Sequence, residues 1–274
     1  MELAERREGF RARGLEVAAL SYDPVAVLAD FASRKRIPFP LLSDPRSEII
    51  RRFGLLDPQY PEGDMAYGVP RPGTFVVDPS GVVLDRSFEE GYVARRTARS
   101  LAARLGGADA PRAATVARKD RRIIVRLGQT DTEVFPGNLL TLYVDVEVAP
   151  GLHAYAAGEH RYRQLRLVLD PHPLVRVHEP VLPAARPFRF APLDETVPVY
   201  EGLVRIGQDV TLADRKELAT LLASPEPVLS LAGRVEYQLC SDTTCYPPDQ
   251  APVRWTVRVR PPETDRVPEA LRRK

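Results

Sequence analysis

The sequence predicts an α/β domain followed by an all-β sandwich, and three observations predict it. Before about residue 105, short apolar strands alternate with helices. From residue 121 the apolar pattern switches to period two, broken at short spacing by Pro, Gly and Asp. Between these stretches, 106–120 is small and polar, opening Gly-Gly-Ala-Asp-Ala-Pro, which reads as a linker. The 274 residues are long for one domain and comfortable for two. The expected boundaries are 1–106, a linker over 107–120, a sandwich over 121–262 and a polar tail over 263–274.

The first domain is built from punctuated short elements. Residues 1–13 are polar and helix-forming, with Gly14 as the stop. Leu15 to Ser21 carries few charges and predicts a strand buried on both faces. Asp23-Pro24 predicts a cap and first position of a helix running to about Arg36, with Val27, Leu28, Phe31 and Ala32 on one face. Phe39 to Leu42 is the next strand. Asp44-Pro45 opens a helix carrying Ile49, Ile50 and Phe53, closed by Gly54. After a polar loop over 56–68, Thr74 to Val77 is a third strand. Asp78-Pro79-Ser80-Gly81 has type I turn composition and returns Val82 to Asp85 as an antiparallel partner. A last helix is expected over 91–105.

The second domain alternates clearly, as in Leu142-Tyr143-Val144-Asp145-Val146-Glu147-Val148. Strands are expected at 123–127, 140–148, 165–169, 175–177, 187–190, 197–200, 203–210, 228–238 and 253–259, with one helical stretch, 214–222. Most of the 27 prolines lie after residue 147, as loops between strands require. Trp255 is expected in the core. His153 and Tyr155 share a strand, and His153 reads as structural.

Composition narrows the function. The 39 basic and 37 acidic residues nearly cancel, so neither nucleic acid nor a membrane surface is an expected partner. No apolar run approaches the roughly 18 residues a bilayer-spanning helix needs. Met1 opens into Glu-Leu-Ala-Glu-Arg-Arg-Glu, which reads as exposed helix rather than a secretory signal. As written, the chain is expected in the cytoplasm; a start further upstream with a signal peptide would place it outside. Two cysteines, both within six residues, are too few for a disulfide scaffold.

Residues 14–90 resemble the AhpC/TSA redoxins, the thioredoxin-like family that includes peroxiredoxins. The carrying segments are Gly14-Leu15-Glu16-Val17 leading to Ser21-Tyr22-Asp23, Phe39-Pro40-Leu41-Leu42-Ser43-Asp44, and Val69 through Gly81 with Arg71-Pro72-Gly73-Thr74-Phe75 at its centre. The resemblance implies a thioredoxin-like fold, truncated, because the family's first strand and cysteine-bearing turn lie upstream of the matching stretch. No cysteine precedes Cys240 and this domain has no histidine, so peroxidase chemistry on its own is not expected. Pro72 matches the family's cis-proline, and Arg71 stands near its activating arginine. Their plain readings are a strand start and a surface charge. A sheet without its central strand leaves backbone groups unpaired. An upstream start, a relic covered by the sandwich, or completion by another chain would each account for that.

Residues from about 150 to 258 resemble the N-terminal domain of the thiol:disulfide interchange protein DsbD, an immunoglobulin-like sandwich. Gly151-Leu152-His153-Ala154-Tyr155 and Val199-Tyr200-Glu201-Gly202 carry part of the likeness. The most specific segment is Tyr237-Gln238-Leu239-Cys240, a polar Ser241-Asp242-Thr243-Thr244 loop, then Cys245-Tyr246-Pro247-Pro248. The resemblance implies that Cys240 and Cys245 shuttle between dithiol and disulfide with a protein thiol partner, thioredoxin-like or DsbD-like, and need no cofactor. A hairpin end can bring two Cα atoms within the roughly 4.4–6.8 Å a disulfide needs. So short a ring adds little stability, which favours a labile pair over a staple. A structural bridge in an interaction scaffold, two buried free thiols and a zinc site remain alternatives. The nearest histidine in sequence is His178, about 60 residues away and too remote for a compact zinc ligand set. Tyr237 and Tyr246 are candidates to shield the sulfurs, and Asp194, Glu195 or Glu201 to accept a thiol proton. The sequence does not decide which sulfur attacks first; its strand-end position nominates Cys240 as the exposed one.

Overall fold

The computed structural model describes residues 2–88, 95–105, 114–190 and 195–261, together with 268 and 270. The chain divides into two compact units, 1–107 with 262–274, and 108–261.

In the first unit, short helices α1 (Glu2–Glu5) and α2 (Arg7–Arg11) precede β1 (Ala19–Ser21), α3 (Val25–Lys35), β2 (Leu41–Ser43) and α4 (Glu48–Arg52). Then follow β3 (Gly73–Val77), β4 (Val83–Phe88), a two-residue extended segment β5 (Arg95–Arg96) and α5 (Ala98–Arg104). Gly14 (φ 75°) and Gly54 (φ 68°) close helical turns in the left-handed region, where a side chain would be strained. Asp44 holds the start of α4 by accepting from the N–H groups of Glu48 and Ile50, both at 2.9 Å. Asp23 does not cap α3; its carboxylate takes the Ser21 hydroxyl at 2.6 Å. The Asp78–Gly81 turn forms, and Asp78 also accepts from Ser80 and Val82. The last helix is shorter than 91–105: Thr97 caps it by accepting from Ser100 N–H, and residues 91–94 lie outside the described ones.

β1 and β2 pair in parallel, β3 and β4 antiparallel, and among the described residues no ladder joins the two pairs. The Leu15–Ser21 strand expected to be buried on both faces is reduced to Ala19–Ser21, with Leu20 37% exposed. The reason is that β1 has one neighbouring strand, where a parallel sheet would supply two and cover both faces. A small core of Phe10, Ala98, Leu101 and Ala102, lined by Leu15 and Val17, holds the unit's ends.

The second unit is three sheets with a larger core. Its strands are β6 (Thr115–Lys119), β7 (Ile123–Gln129), β8 (Glu133–Val134), β9 (Asn138–Val148), β10 (His153–Tyr155), β11 (Arg166–Leu169), β12 (Val175–Val181) and β13 (Arg186–Phe190). They continue with β14 (Glu195–Tyr200), β15 (Leu203–Leu212), β16 (Val228–Tyr237), β17 (Leu239–Cys240) and β18 (Asp249–Val259). One sheet runs β12-β15-β9-β7-β6, a second β11-β16-β18-β8 and a third β13-β14-β10-β17. Only Ala219–Leu222 (α6) of the expected helix 214–222 is helical. Thr115–Lys119, within the stretch read as linker, pairs with β7; its Val116 and Ala117 gave too short an apolar signal to stand out.

Period two explains the core. In β18, Ala251, Val253, Trp255, Val257 and Val259 are buried while the intervening residues are exposed. They pack with Val125, Leu127, Val144, Val146, Ile206, Leu231 and Val235. Each fully buried Val or Leu contributes about 1.5–3 kcal/mol. Trp255 lies in this core, as expected, and donates from Nε1 to Gly128 O at 2.9 Å. Gly233 permits close approach of β11: a Cβ there would meet Val168 O at 2.4 Å.

Candidate functional site

The chain leaves the second sheet at Tyr237 and enters the third as β17. Ser241 to Thr244 then turn it back. Ser241 N–H donates to Thr244 O at 2.8 Å and Tyr246 N–H to Leu239 O at 2.9 Å. These bonds flank the antiparallel Cys240–Cys245 bridge, so the cysteines form a non-hydrogen-bonded cross-strand pair. Such pairs bring Cα atoms to about 4.5 Å. Here they stand 4.1 Å apart and the two Sγ atoms are joined as a disulfide. Ser241 Oγ accepts from the N–H groups of Thr243 (3.3 Å) and Thr244 (3.0 Å), which fixes the turn.

The two ends of the bridge differ. Cys240 is 1% exposed, packed with Tyr155, Val197 and Val199, whereas Cys245 is exposed. Strand register builds the surroundings of the buried end. His153 lies opposite Cys240, Tyr155 opposite Val199, and Val197 opposite Phe188. One face of the third sheet therefore carries Cys240, His153, Tyr155 and Phe188 together. The loop 156–164 lays Tyr162 flat on Tyr155, with ring centroids 4.1 Å apart and planes 6° from parallel. The His153 ring stands edge-on to Tyr155 at 5.3 Å and lies 4.2 Å from Phe188. Tyr155 Oη reaches 3.6 Å from Cys245 Sγ.

The loop's end is tied to β16. Arg163 N–H donates to Gln238 Oε1 at 3.0 Å, and Glu236 pairs with Arg163 (3.5 Å), Arg166 (2.7 Å) and Arg234 (2.9 Å). Burial pushes the Tyr155 phenol up to about 12, with Tyr162 and Glu195 acting in the same direction. Tyr155 is thus a neutral hydroxyl beside the disulfide through the physiological range. Burial holds the His153 imidazole below its ordinary value; Asp242 opposes this and Arg186 reinforces it. His153 Nε2 is buried without a hydrogen-bond partner.

Several expected site residues sit elsewhere. Cys240 is not the exposed cysteine: β17 runs beneath Tyr155 and the valines of β14, and the exposed one is Cys245. Tyr237 belongs to the main core, its hydroxyl donating to Asp249 at 3.4 Å. Tyr246 is half-buried against that core beneath the Arg122 guanidinium, 4.4 Å from its ring centroid. With Leu239, both tyrosines line a cleft of about 180 Å³. Glu195 accepts the Tyr162 hydroxyl at 3.1 Å and Glu201 pairs with Arg186, while Asp194 lies outside the described residues. His178 is engaged with Thr211 Oγ1 at 2.7 Å. In the first unit Arg71 is exposed and Pro72 half-buried. The described peptide bonds are all trans, and Arg71 N–H donates to Leu55 O at 2.7 Å. Sequence reasoning alone misses His153, Tyr155, Tyr162 and Phe188 around the bridge. The alternation of His153 and Tyr155 was the available signal, but it does not name their cross-strand partner.

Fold and site together define a two-domain protein, an α/β domain followed by a β-sandwich with a disulfide at a hairpin end. Residues 1–86 match the AhpC/TSA family and residues 125–255 match thiol:disulfide interchange protein DsbD, N-terminal. Among curated relatives, the putative peroxiredoxin Rv2521 of Mycobacterium tuberculosis is 35% identical over 89 residues, 31% of this chain and 56% of that protein. Chloroplastic peroxiredoxin Q of Arabidopsis thaliana is 34% identical over 76 residues, 28% of this chain and 32% of that protein. The match to Rv2521 thus spans about half that relative's length. Two solved structures are similar to parts of the chain. The N-terminal periplasmic domain of ScsB from Proteus mirabilis has 15% identity and TM-score 0.31, covering 49% of this chain and 47% of that one. The Neisseria meningitidis DsbD n-terminal domain in the reduced form has 19% identity and TM-score 0.27, covering 43% and 80%. At the level of families, the sequence matches support a thiol–disulfide redox protein. No helix among the described residues is long and apolar enough to cross a membrane.

Proposed function

We propose that the chain exchanges reducing equivalents with a protein dithiol through Cys240 and Cys245. The observation that carries this reading is the asymmetry of the bridge: an exposed Cys245 on a hairpin end, joined to a buried Cys240. A partner thiolate attacks Cys245 Sγ, forming a mixed disulfide, and the electron pair of the broken bond leaves on Cys240 Sγ. The partner's second thiolate then attacks its own sulfur in the mixed disulfide and releases Cys245. The partner ends oxidised and the pair ends as two thiols. Running backwards, Cys245 is the entering nucleophile and Cys240 closes the ring. The partner class is a thioredoxin-like or DsbD-like dithiol domain. The closed bridge favours a location outside the reducing cytoplasm.

Reduced Cys240→Ser retains an exposed thiol and is expected to accumulate a mixed disulfide with a single-cysteine thioredoxin whose one active-site sulfur is capped by an aromatic thiol, the aromatic thiolate leaving as the bond forms, whereas Cys245→Ser accumulates none. The midpoint potential separates exchange from a second reading, a scaffold with a structural bridge, which the burial of Cys240 favours. A potential near the thioredoxin value of about −270 mV supports exchange; one well below about −300 mV supports the scaffold.

A further inference from the structure

We propose that His153 is the proton acceptor for the Cys240 thiol when the reduced pair closes to a disulfide. The inference rests on the exchange reading above and assigns a residue to its buried half. Three observations converge. His153 is the cross-strand partner of Cys240, which places both side chains on one face at neighbouring positions. His153 is 2% exposed, and its Nε2 has no hydrogen-bond partner. An orphaned buried nitrogen costs stability that an inert side chain at this position would avoid. Finally, Cys240 is as buried as His153, so water cannot readily take its proton.

The surroundings decide the protonation state of the ring. Tyr155 on β10 is a neutral phenol, and Phe188 on β13 and Val199 on β14 are uncharged. Arg186 on β13 is paired with Glu201, and Asp242 on the hairpin turn is the acidic group acting on the ring. Burial keeps the imidazole neutral at physiological pH. With its proton on Nδ1, the ring presents the Nε2 lone pair as an acceptor.

The step balances as follows. Starting from a mixed disulfide on Cys245, the Cys240 thiol gives its proton to His153 Nε2. The Cys240 thiolate attacks Cys245 Sγ, the Cys240–Cys245 bond forms, and the bond from Cys245 to the partner sulfur breaks. The partner leaves as a thiolate carrying the electron pair, and the imidazolium returns its proton to that thiolate or to water. Cys240 is oxidised and the partner sulfur reduced.

The test uses the full chain, reduced, with an aromatic disulfide whose departing thiolate is coloured. Attack by Cys245 releases a first equivalent, and ring closure by Cys240 releases a second. With His153 present, closure is expected to be nearly independent of pH above the imidazole's value. In His153→Phe, which keeps a ring in the pocket, closure is expected to become about 100-fold slower at neutral pH and to rise about ten-fold per pH unit. His153→Gln, polar but not basic, is expected to behave as His153→Phe, which guards against a packing defect in either variant. Both variants should release the first equivalent at the normal rate. An unchanged pH profile of the second release in a variant that releases the first would overturn the role of His153. Absence of the first release in the unmodified chain would instead overturn the exchange reading itself.

Discussion

Two groups of aromatic residues stand beside the cysteine pair, and they differ in what they touch. Tyr237 and Tyr246 are near it in sequence, yet they face the main core and an arginine-rimmed cleft with Arg118 and Arg122 over their rings. His153, Tyr155 and Phe188 are distant in sequence, yet they share the face that carries Cys240. The reason is elementary. Successive residues of a strand point to opposite sides of the sheet, so a residue next to a cysteine in the chain is poorly placed to touch its sulfur. The residue across the ladder is well placed. What surrounds the bridge is therefore written in the register between β10 and β17.

The sharpest way to break this comparison is to truncate one residue on the bridge face. Tyr155→Ala removes a ring that is 3% exposed and stacked on Tyr162. A loss of about 3–5 kcal/mol is expected, as for other buried aromatics cut to alanine, read from urea unfolding at unchanged slope. The same variant should open the bridge to small thiols, seen as faster reduction by dithiothreitol. A loss under about 1 kcal/mol would mean that Tyr155 covers nothing of consequence.

This division also marks what the sequence reveals and what it withholds. Alternation identified β9 and β18, and turn chemistry identified Asp78–Gly81, because both signals are local. The hairpin holding Cys240 and Cys245 was legible for the same reason: four polar turn residues between strand ends. The exposure of Cys245 rather than Cys240 was not, since it depends on β14 and Tyr155 packing over β17. Nor was the fate of β1, which needs a second neighbour to become a buried parallel strand. Tertiary partners settle such points, and no window of a dozen residues contains them.

A middle-sized effect tests what positions the bridge face. Glu236 anchors the end of the loop that delivers Tyr162, through Arg163 and Arg166. The Arg166 hydrogen bond holds its carboxyl below the ordinary range, with Arg234 adding to this against the opposing effect of burial. A depressed folded-state value stabilises the protein above the unfolded carboxylate value of about 4.3, and that stability disappears as pH falls through the folded value. Glu236→Gln should therefore lose roughly 1–3 kcal/mol at neutral pH and converge with the unmodified chain in acid. Denaturation curves across the pH range give the comparison, and a gap that persists in acid would assign the loss to packing instead.

The smallest effect belongs to the opposite face. Tyr246 is half-buried, and the main-chain bond from its N–H to Leu239 O survives any side-chain change. Tyr246→Ala gives up the stacked Arg122 and part of the cleft wall, so a loss of about 1 kcal/mol or less is expected. The rate of exchange at Cys245 should not change, because the ring packs against the main core and the Arg122 guanidinium. Measured beside Tyr155→Ala on the same aromatic disulfide, this variant separates register from proximity. A marked slowing with Tyr246→Ala, alongside no change with Tyr155→Ala, would invert the two faces and place partner recognition on the arginine-rimmed cleft.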